Sequence, residues 1–232
     1  MTPTSISFVL PMYNEKNGIR ETARKLAAIA EELTGDYEII ISDDASTDGS
    51  GLVADEMARE DSHIKVVHLE RNTKFGGALK AGIERAEKEV IIYTDSDLPI
   101  ETNDIKNALK LLDQSDIVTA YSKIKKGETV RRVIMSKVYN FLVQFLFATN
   151  IKDINSGFKI YKRKVFKEMK LISKSPFIDV EIFVNAKNKN FKIKQYPVIF
   201  KHREAGESYI SRPAVIVQTA LDMLRFKLTR GS

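Results

Sequence analysis

A chain of 232 residues with 43% hydrophobic side chains carries enough apolar material for one substantial core, and its lack of cysteine excludes disulfides, thiolate metal sites and a cysteine nucleophile. The net charge of +6 hides a division: residues 1–115 hold 13 Lys and Arg against 22 Asp and Glu, a balance of −9, whereas residues 116–232 hold 24 against 9, a balance of +15. A basic second half suits an anionic partner, whether phosphorylated substrate, lipid headgroup or nucleic acid.

The first half alternates regularly. Ile6–Leu10 is a short apolar strand running into Pro11, and Ile19–Leu33 repeats Ile19, Ala23, Leu26, either Ile29 or Ala30, and Leu33 at helical spacing. Glu38–Ile41 reads as a strand that stops at Ser42-Asp43-Asp44. Asp48 is the expected N-cap of a helix through Arg59, followed by a strand at Ile64–Leu69. Phe75–Ala86 predicts a helix, Val90–Thr94 a strand, Asp104–Leu112 a helix and Ile117–Ala120 a strand. After residue 122 the rhythm changes: a polar loop at Lys123–Thr129, a long helix at Val130–Thr149, strands at Ser156–Tyr161 and Phe191–Lys201 with a helix near Val180–Lys189 between them, then an amphipathic helix at Ala214–Lys227. Alternating strands and helices predict an α/β fold with a mainly parallel sheet, in which ligands bind beyond the carboxyl ends of strands. Without a linker or repeat, 1–232 reads as one domain.

Three predicted strand ends carry residues with chemistry. In Tyr93-Thr94-Asp95-Ser96-Asp97, two carboxylates two positions apart leave a strand end on one face, where a hard divalent cation would relieve their repulsion; capping of the next helix is the bland alternative. Asp43-Asp44-Ala45-Ser46-Thr47-Asp48-Gly49 is either an ordinary polar turn or a carboxylate site for a nucleobase or ribose. Pro11-Met12-Tyr13-Asn14-Glu15 offers a tyrosine for stacking, and Arg71-Asn72 with Gly76-Gly77 sets a cation beside a helix N-terminus. Neither G-x-G-x-x-G nor G-x-x-x-x-G-K-[ST] occurs.

Together these segments resemble glycosyltransferase family 2, which has the GT-A fold. VLPMYNE is similar to its PxYNE, SDDASTDGS to its DDxSxDGT, RNTKFGGALKAGIERA to its R-N-x-G-x-G segment and TDSDL to its D-x-D. RRVIMSKVYNFL, DINSGFKIYKR, FIDVEIFVNA and FKHREAGES resemble the dolichyl-phosphate mannose synthase and dolichyl-phosphate glucosyltransferase group most. The resemblance implies a nucleotide site at Pro11, Tyr13, Glu15, Asp43, Asp44 and Arg71, and Mg2+ or Mn2+ on Asp95 and Asp97. It implies catalytic contacts from Arg132 and Arg203, and an acceptor site at Lys123, Arg131, Arg132, Ser136, Arg203 and Ser208. The chain departs from the family where Pro99 replaces a frequent Gln, Lys123 a frequent Arg and Tyr209 a frequent Lys.

The reaction implied is inverting transfer of a sugar, from a GDP-mannose or UDP-glucose type of donor, to a polyprenyl or dolichyl phosphate. In this picture 1–122 forms the nucleotide-sugar half and 123–232 the acceptor half. A phosphate acceptor needs little help from a base; a sugar hydroxyl would need one, with Asp153, Asp179 and Glu181 as candidates. The start of the chain lacks signal-peptide features, and no apolar run approaches the roughly 18 residues of a spanning helix. Apolar faces on Val138–Ile151 and Ala214–Lys227, flanked by cations, instead suggest peripheral attachment to a cytoplasmic membrane face. The rival readings are a transferase acting on a soluble glycan and a noncatalytic nucleotide-sugar binder. Nucleic acid is not an expected partner, because the basic half lacks interleaved aromatic stacking motifs.

Overall fold

The computed structural model describes residues 4–96, 98–123, 130–167, 169–200 and 213–230; within the helices, the side chains of 130–132, 135, 213, 214, 216, 229 and 230 fall outside the description. The elements follow in the order β1 (Ile6–Met12), α1 (Ile19–Leu33), β2 (Tyr37–Asp43), α2 (Ser50–Glu60), β3 (Ile64–His68), α3 (Lys74–Arg85) and β4 (Val90–Thr94). Then come α4 (Thr102–Lys110) with a 3₁₀ turn at Leu111–Gln114, β5 (Ile117–Ser122), α5 (Val130–Phe147), β6 (Phe158–Lys162) with a 3₁₀ turn at Arg163–Phe166, α6 (Ile178–Asn188), β7 (Ile193–Val198) and α7 (Pro213–Arg230).

Seven strands form one sheet in the order β3-β2-β1-β4-β6-β5-β7. All neighbouring pairs are parallel except those of β6, which runs antiparallel to both β4 and β5. Helices cover both faces, which is why the central strands are apolar without interruption. Phe8, Leu10, Ile39, Ile41 and Ile92 pack with α1, α2 and α4, whereas Val9, Ile40, Ile91 and Tyr93 pack with α3, α6 and the apolar sides of α5 and α7.

The differences from the expected boundaries have local causes. β1 continues through Pro11 to Met12, paired in register with Ser42 and Asp43. The α2 cap position is Gly49, at φ 90°, and Asp48 stands one residue outside, where its Oδ1 accepts the Ser50 amide at 2.9 Å. α5 stops at Phe147 because Ala148 turns left-handed, at φ 48°. Ser156 and Gly157 stand outside β6, between a turn at Ile154-Asn155 and the first strand residue, Phe158. β7 is shorter than the apolar run that predicts it.

Candidate active site

Parallel pairing brings the carboxyl ends of β2, β1 and β4 to one edge of the sheet. The loops after β1 and β2 are bonded into a unit. Asp44 N donates to Met12 O (2.9 Å), Asn14 N to Ser46 Oγ (3.0 Å), Glu15 N to Ser50 Oγ (2.8 Å), and Thr47 N to Asn14 Oδ1 (2.8 Å). Pro11 and Glu15 are half-buried, while the Tyr13 ring is 46% exposed and open to a flat ligand.

The two adjacent carboxylates after β2 diverge. Asp43, buried, accepts the Ser46 amide on Oδ1 (3.0 Å) and faces His68 Nδ1 with Oδ2 (3.0 Å). Asp44 turns the other way and accepts the amide (2.5 Å) and hydroxyl (2.8 Å) of Thr73 at the start of α3. Burial raises the Asp44 pKa above its ordinary value, with those two bonds pulling against it. Asp44 therefore has an architectural use, fastening α3 to the crevice. Arg71 is exposed on the loop between them.

His68 was not among the residues singled out by the sequence. It lies between Asp55 Oδ1 (2.9 Å) and Asp43 Oδ2, and bonding to Asp55 first and Asp43 second raises its pKa against a smaller opposing effect of burial. A histidine raised in this way contributes stability in full below its ordinary value of 6.5 and loses it as pH climbs through the raised native value. The gap in Tm between the parent and His68→Gln is therefore expected to be widest below pH 6.5 and to close in mildly alkaline buffer. A gap of constant size across that range would refute the assignment.

At the end of β4, the antiparallel strand matters most. Phe158 is in register with Thr94, so the turn ahead of β6 is delivered to Asp95. Asp95 N donates to Gly157 O (3.2 Å), and a Cβ built on Gly157 would stand 2.4 Å from Asp95 Oδ2 and 3.5 Å from Pro99 Cγ. Pro99 thus walls the same recess. The Tyr93 hydroxyl donates to Asp95 Oδ1. Burial, followed by the nearby Asp95 and Asp179 charges, pushes the Tyr93 pKa well up, so the hydroxyl stays a donor. From the far side, Thr22 Oγ1 on α1 donates to Ser96 O (2.6 Å).

Among the described residues no three His, Cys, Asp or Glu side chains gather into a cage. Asp95, whose Oδ2 lies against an open glycine face, fits the alternative: a hard cation that takes one or two carboxylates and fills its shell with water and phosphate oxygens. Asp97, Arg203 and Ser208 lie outside the described residues, as do the side chains of Arg131 and Arg132 on α5. Ser136, on the same helix, is half-buried and receives Asn140 Nδ2 on its carbonyl (2.9 Å); Lys123 is exposed, its amide bonded to Val198 O (2.8 Å).

The three candidate bases separate. Glu181 is buried and accepts the Ile172 (3.0 Å) and Ser173 (2.9 Å) amides on its two oxygens, so its carboxylate clamps a loop and has no exposed oxygen with which to take a proton. Asp179 is also buried and paired with Lys159 Nζ at 3.0 Å; burial drives its pKa up to about 6 despite that cation. Asp153 is half-buried beside this pair.

Comparison with known proteins follows the same lines. Residues 7–170 match the family model described as Glycosyl transferase family 2. The glycosyltransferase AglD of Haloferax volcanii is 28% identical over 202 residues, covering 83% of this chain and 32% of its own length. The polyprenol monophosphomannose synthase of Mycolicibacterium smegmatis is 28% identical over 215 residues, covering 88% and 80%. The chain therefore spans about a third of the first relative and four-fifths of the second. Among solved structures, glucosyl-3-phosphoglycerate synthase from Mycobacterium tuberculosis, in complex with Mn2+, UDP and glucosyl-3-phosphoglycerate, superposes with a TM-score of 0.71 at 17% identity, covering 97% of this chain and 80% of that one.

Proposed function

The chain belongs to glycosyl transferase family 2, and from that premise we propose that it moves a sugar from a nucleotide diphosphate sugar onto a polyprenyl phosphate at a membrane surface. Its helix-covered, mostly parallel sheet is the GT-A-type arrangement shared by its structural neighbours. In this reading Tyr13 and Asp43 receive the nucleobase, with Pro11, Glu15 and Arg71 around the nucleotide, and Asp44 holds the crevice in shape. Asp95 and Asp97 hold Mg2+ or Mn2+, which supplies positive charge to the departing diphosphate. Arg132 and Arg203 meet the phosphates, and Lys123, Arg131, Ser136 and Ser208 line the acceptor side.

One observation carries the acceptor. α5 is tied to the turn that faces Asp95, because Asn140 Oδ1 accepts the Ile154 amide at 3.1 Å. That same helix exposes Ile134, Val138, Phe141, Leu142 and Phe145, and α7 exposes Val217, Leu221, Leu224 and Leu228. The two helices are packed together by the Phe147–Phe226 ring contact (centroids 5.8 Å) and by Lys227 Nζ donating to Leu146 O (2.9 Å). Two apolar stripes of this size, on a helix tied to the site and on the helix packed against it, suit a lipid surface on which a long-chain acceptor lies. No helix among the described residues is long and apolar enough to cross a membrane. The engagement of Asp179 and Glu181 supports an acceptor that arrives as an anion and needs no base.

The test is a donor panel including GDP-mannose and UDP-glucose, offered with Mn2+ and a short polyprenyl phosphate in detergent. Glycolipid should form with at least one donor and disappear when EDTA removes the metal. Turnover of a water-soluble glycan with no lipid product from any donor would move the protein to the soluble-acceptor reading.

A further inference from the structure

Behind Asp95 lies a buried polar set that the proposed chemistry does not touch. Lys159 is fully buried in β6, and its Nζ donates to Ser156 O (2.6 Å), pairs with Asp179 Oδ2 (3.0 Å) and stands 5.0 Å from the centre of the Tyr93 ring. Each contact leads toward Asp95. Ser156 precedes Gly157, whose carbonyl receives the Asp95 amide and whose missing side chain makes room for Asp95 Oδ2. Tyr93 supplies the hydroxyl on Asp95 Oδ1.

A buried ion pair is a poor source of stability, since desolvating two charges consumes most of what their attraction returns, and apolar replacements are often neutral or stabilising. Its return here is geometric. The Lys159 ammonium fixes the carbonyl that shapes the turn, and it neutralises Asp179, a carboxylate that acts on Tyr93 alongside Asp95. The Tyr93 hydroxyl itself is given to Asp95 Oδ1.

We propose that Tyr93, Lys159 and Asp179 form a positioning set that holds the Asp95 carboxylate and the Ser156–Gly157 segment in the geometry a divalent cation and its bound diphosphate require. This rests on the reading of Asp95 as a metal ligand, so the experiment must separate the two. Mn2+ binding, read from the loss of free-ion EPR signal in the presence of saturating GDP or UDP, is measured for the parent and for Asp95→Asn, Tyr93→Phe and Lys159→Met/Asp179→Asn. The double substitution removes both charges together, so no buried ion is left unpaired.

Support would be Mn2+ affinity weaker by about 10- to 100-fold in Tyr93→Phe and in the double variant, the usual cost of losing a partner behind a metal ligand, with Tm close to the parent. Parental Mn2+ affinity in a folded double variant would overturn the role of Lys159 and Asp179. If that variant fails to fold, Tyr93→Phe decides: it removes only one hydroxyl, and unchanged affinity there overturns the set. If Asp95→Asn itself leaves Mn2+ binding unchanged, the fault lies with the metal reading of Asp95. Kinetically, the set should act on the Mn2+ requirement and kcat while leaving KM for the acceptor in place.

Discussion

Substituting alanine for Gly157 is expected to lower kcat by about 10²-fold, raise the Mn2+ needed for half-maximal rate and barely change Tm. The backbone at Gly157 lies outside the left-handed region, so an alanine is acceptable there conformationally. What is not acceptable is its methyl group, 2.4 Å from Asp95 Oδ2. The carboxylate is the movable partner: it must swing away, and displacement of a reacting group by about an ångström is worth roughly 10² in rate. Gly76 provides the contrasting control. A Cβ there would meet the backbone of Ser173, Lys174 and Ser175 at 2.7 Å, and backbone cannot step aside. Gly76→Ala should therefore cost on the order of 1–3 kcal/mol of stability, as overpacking does, with surviving folded protein retaining near-parental Mn2+ affinity. Normal Mn2+ dependence in Gly157→Ala would show that Asp95 does not have to stand where it does.

Binding to vesicles of anionic phospholipid should fall by about 10²-fold or more in Phe141→Glu/Phe145→Glu. The two rings are 66% and 77% exposed and stack at a centroid distance of 6.4 Å on the outer face of α5. Burying a phenylalanine side chain is worth roughly 1.5–3 kcal/mol, so two of them dominate the affinity of a surface attachment, and glutamate adds repulsion from anionic headgroups. Because both positions face outward, Tm and nucleotide binding should persist. Cosedimentation measures vesicle binding and a thermal melt measures Tm. Equal partitioning of parent and variant would sink the membrane role of this face; a concentration-dependent oligomer lost in the variant, without vesicle binding, would assign the face to a second copy of the chain.

The first half of the fold was legible because its strands and helices are local events. Ile19, Ala23, Leu26 and Ala30 announce α1 by spacing, and Val90–Thr94 begins and ends where its apolar run does. The convergence of Pro11–Glu15, Asp43 and Asp95 followed from parallel connectivity alone. Pairing between distant segments was much harder to read. Nothing in Phe158-Lys159-Ile160-Tyr161 says that it runs antiparallel beside β4, and alternation would send Lys159 and Tyr161 to solvent. Both are buried, because α6 and its neighbours cover that face. A glycine immediately before a strand was the available hint of close approach to Asp95. The bonds of Asp44 were equally hard to read: successive side chains after a strand point apart, and Asp44 turns to Thr73 rather than following Asp43.

The reversed direction of β6 makes the chain from Asp95 to Gly157 a closed circuit: it leaves the sheet at the end of β4 and returns to the same spot, fastened by the bond between Asp95 N and Gly157 O. Lengthening a flexible joint between two pinned ends costs little, about 0.6 kcal/mol for each doubling of its length. α4, β5 and α5 all lie within that circuit. On the proposed reading, the joints between these elements could therefore be lengthened, and the acceptor side altered, while the bond between Asp95 N and Gly157 O keeps the two ends of the circuit together.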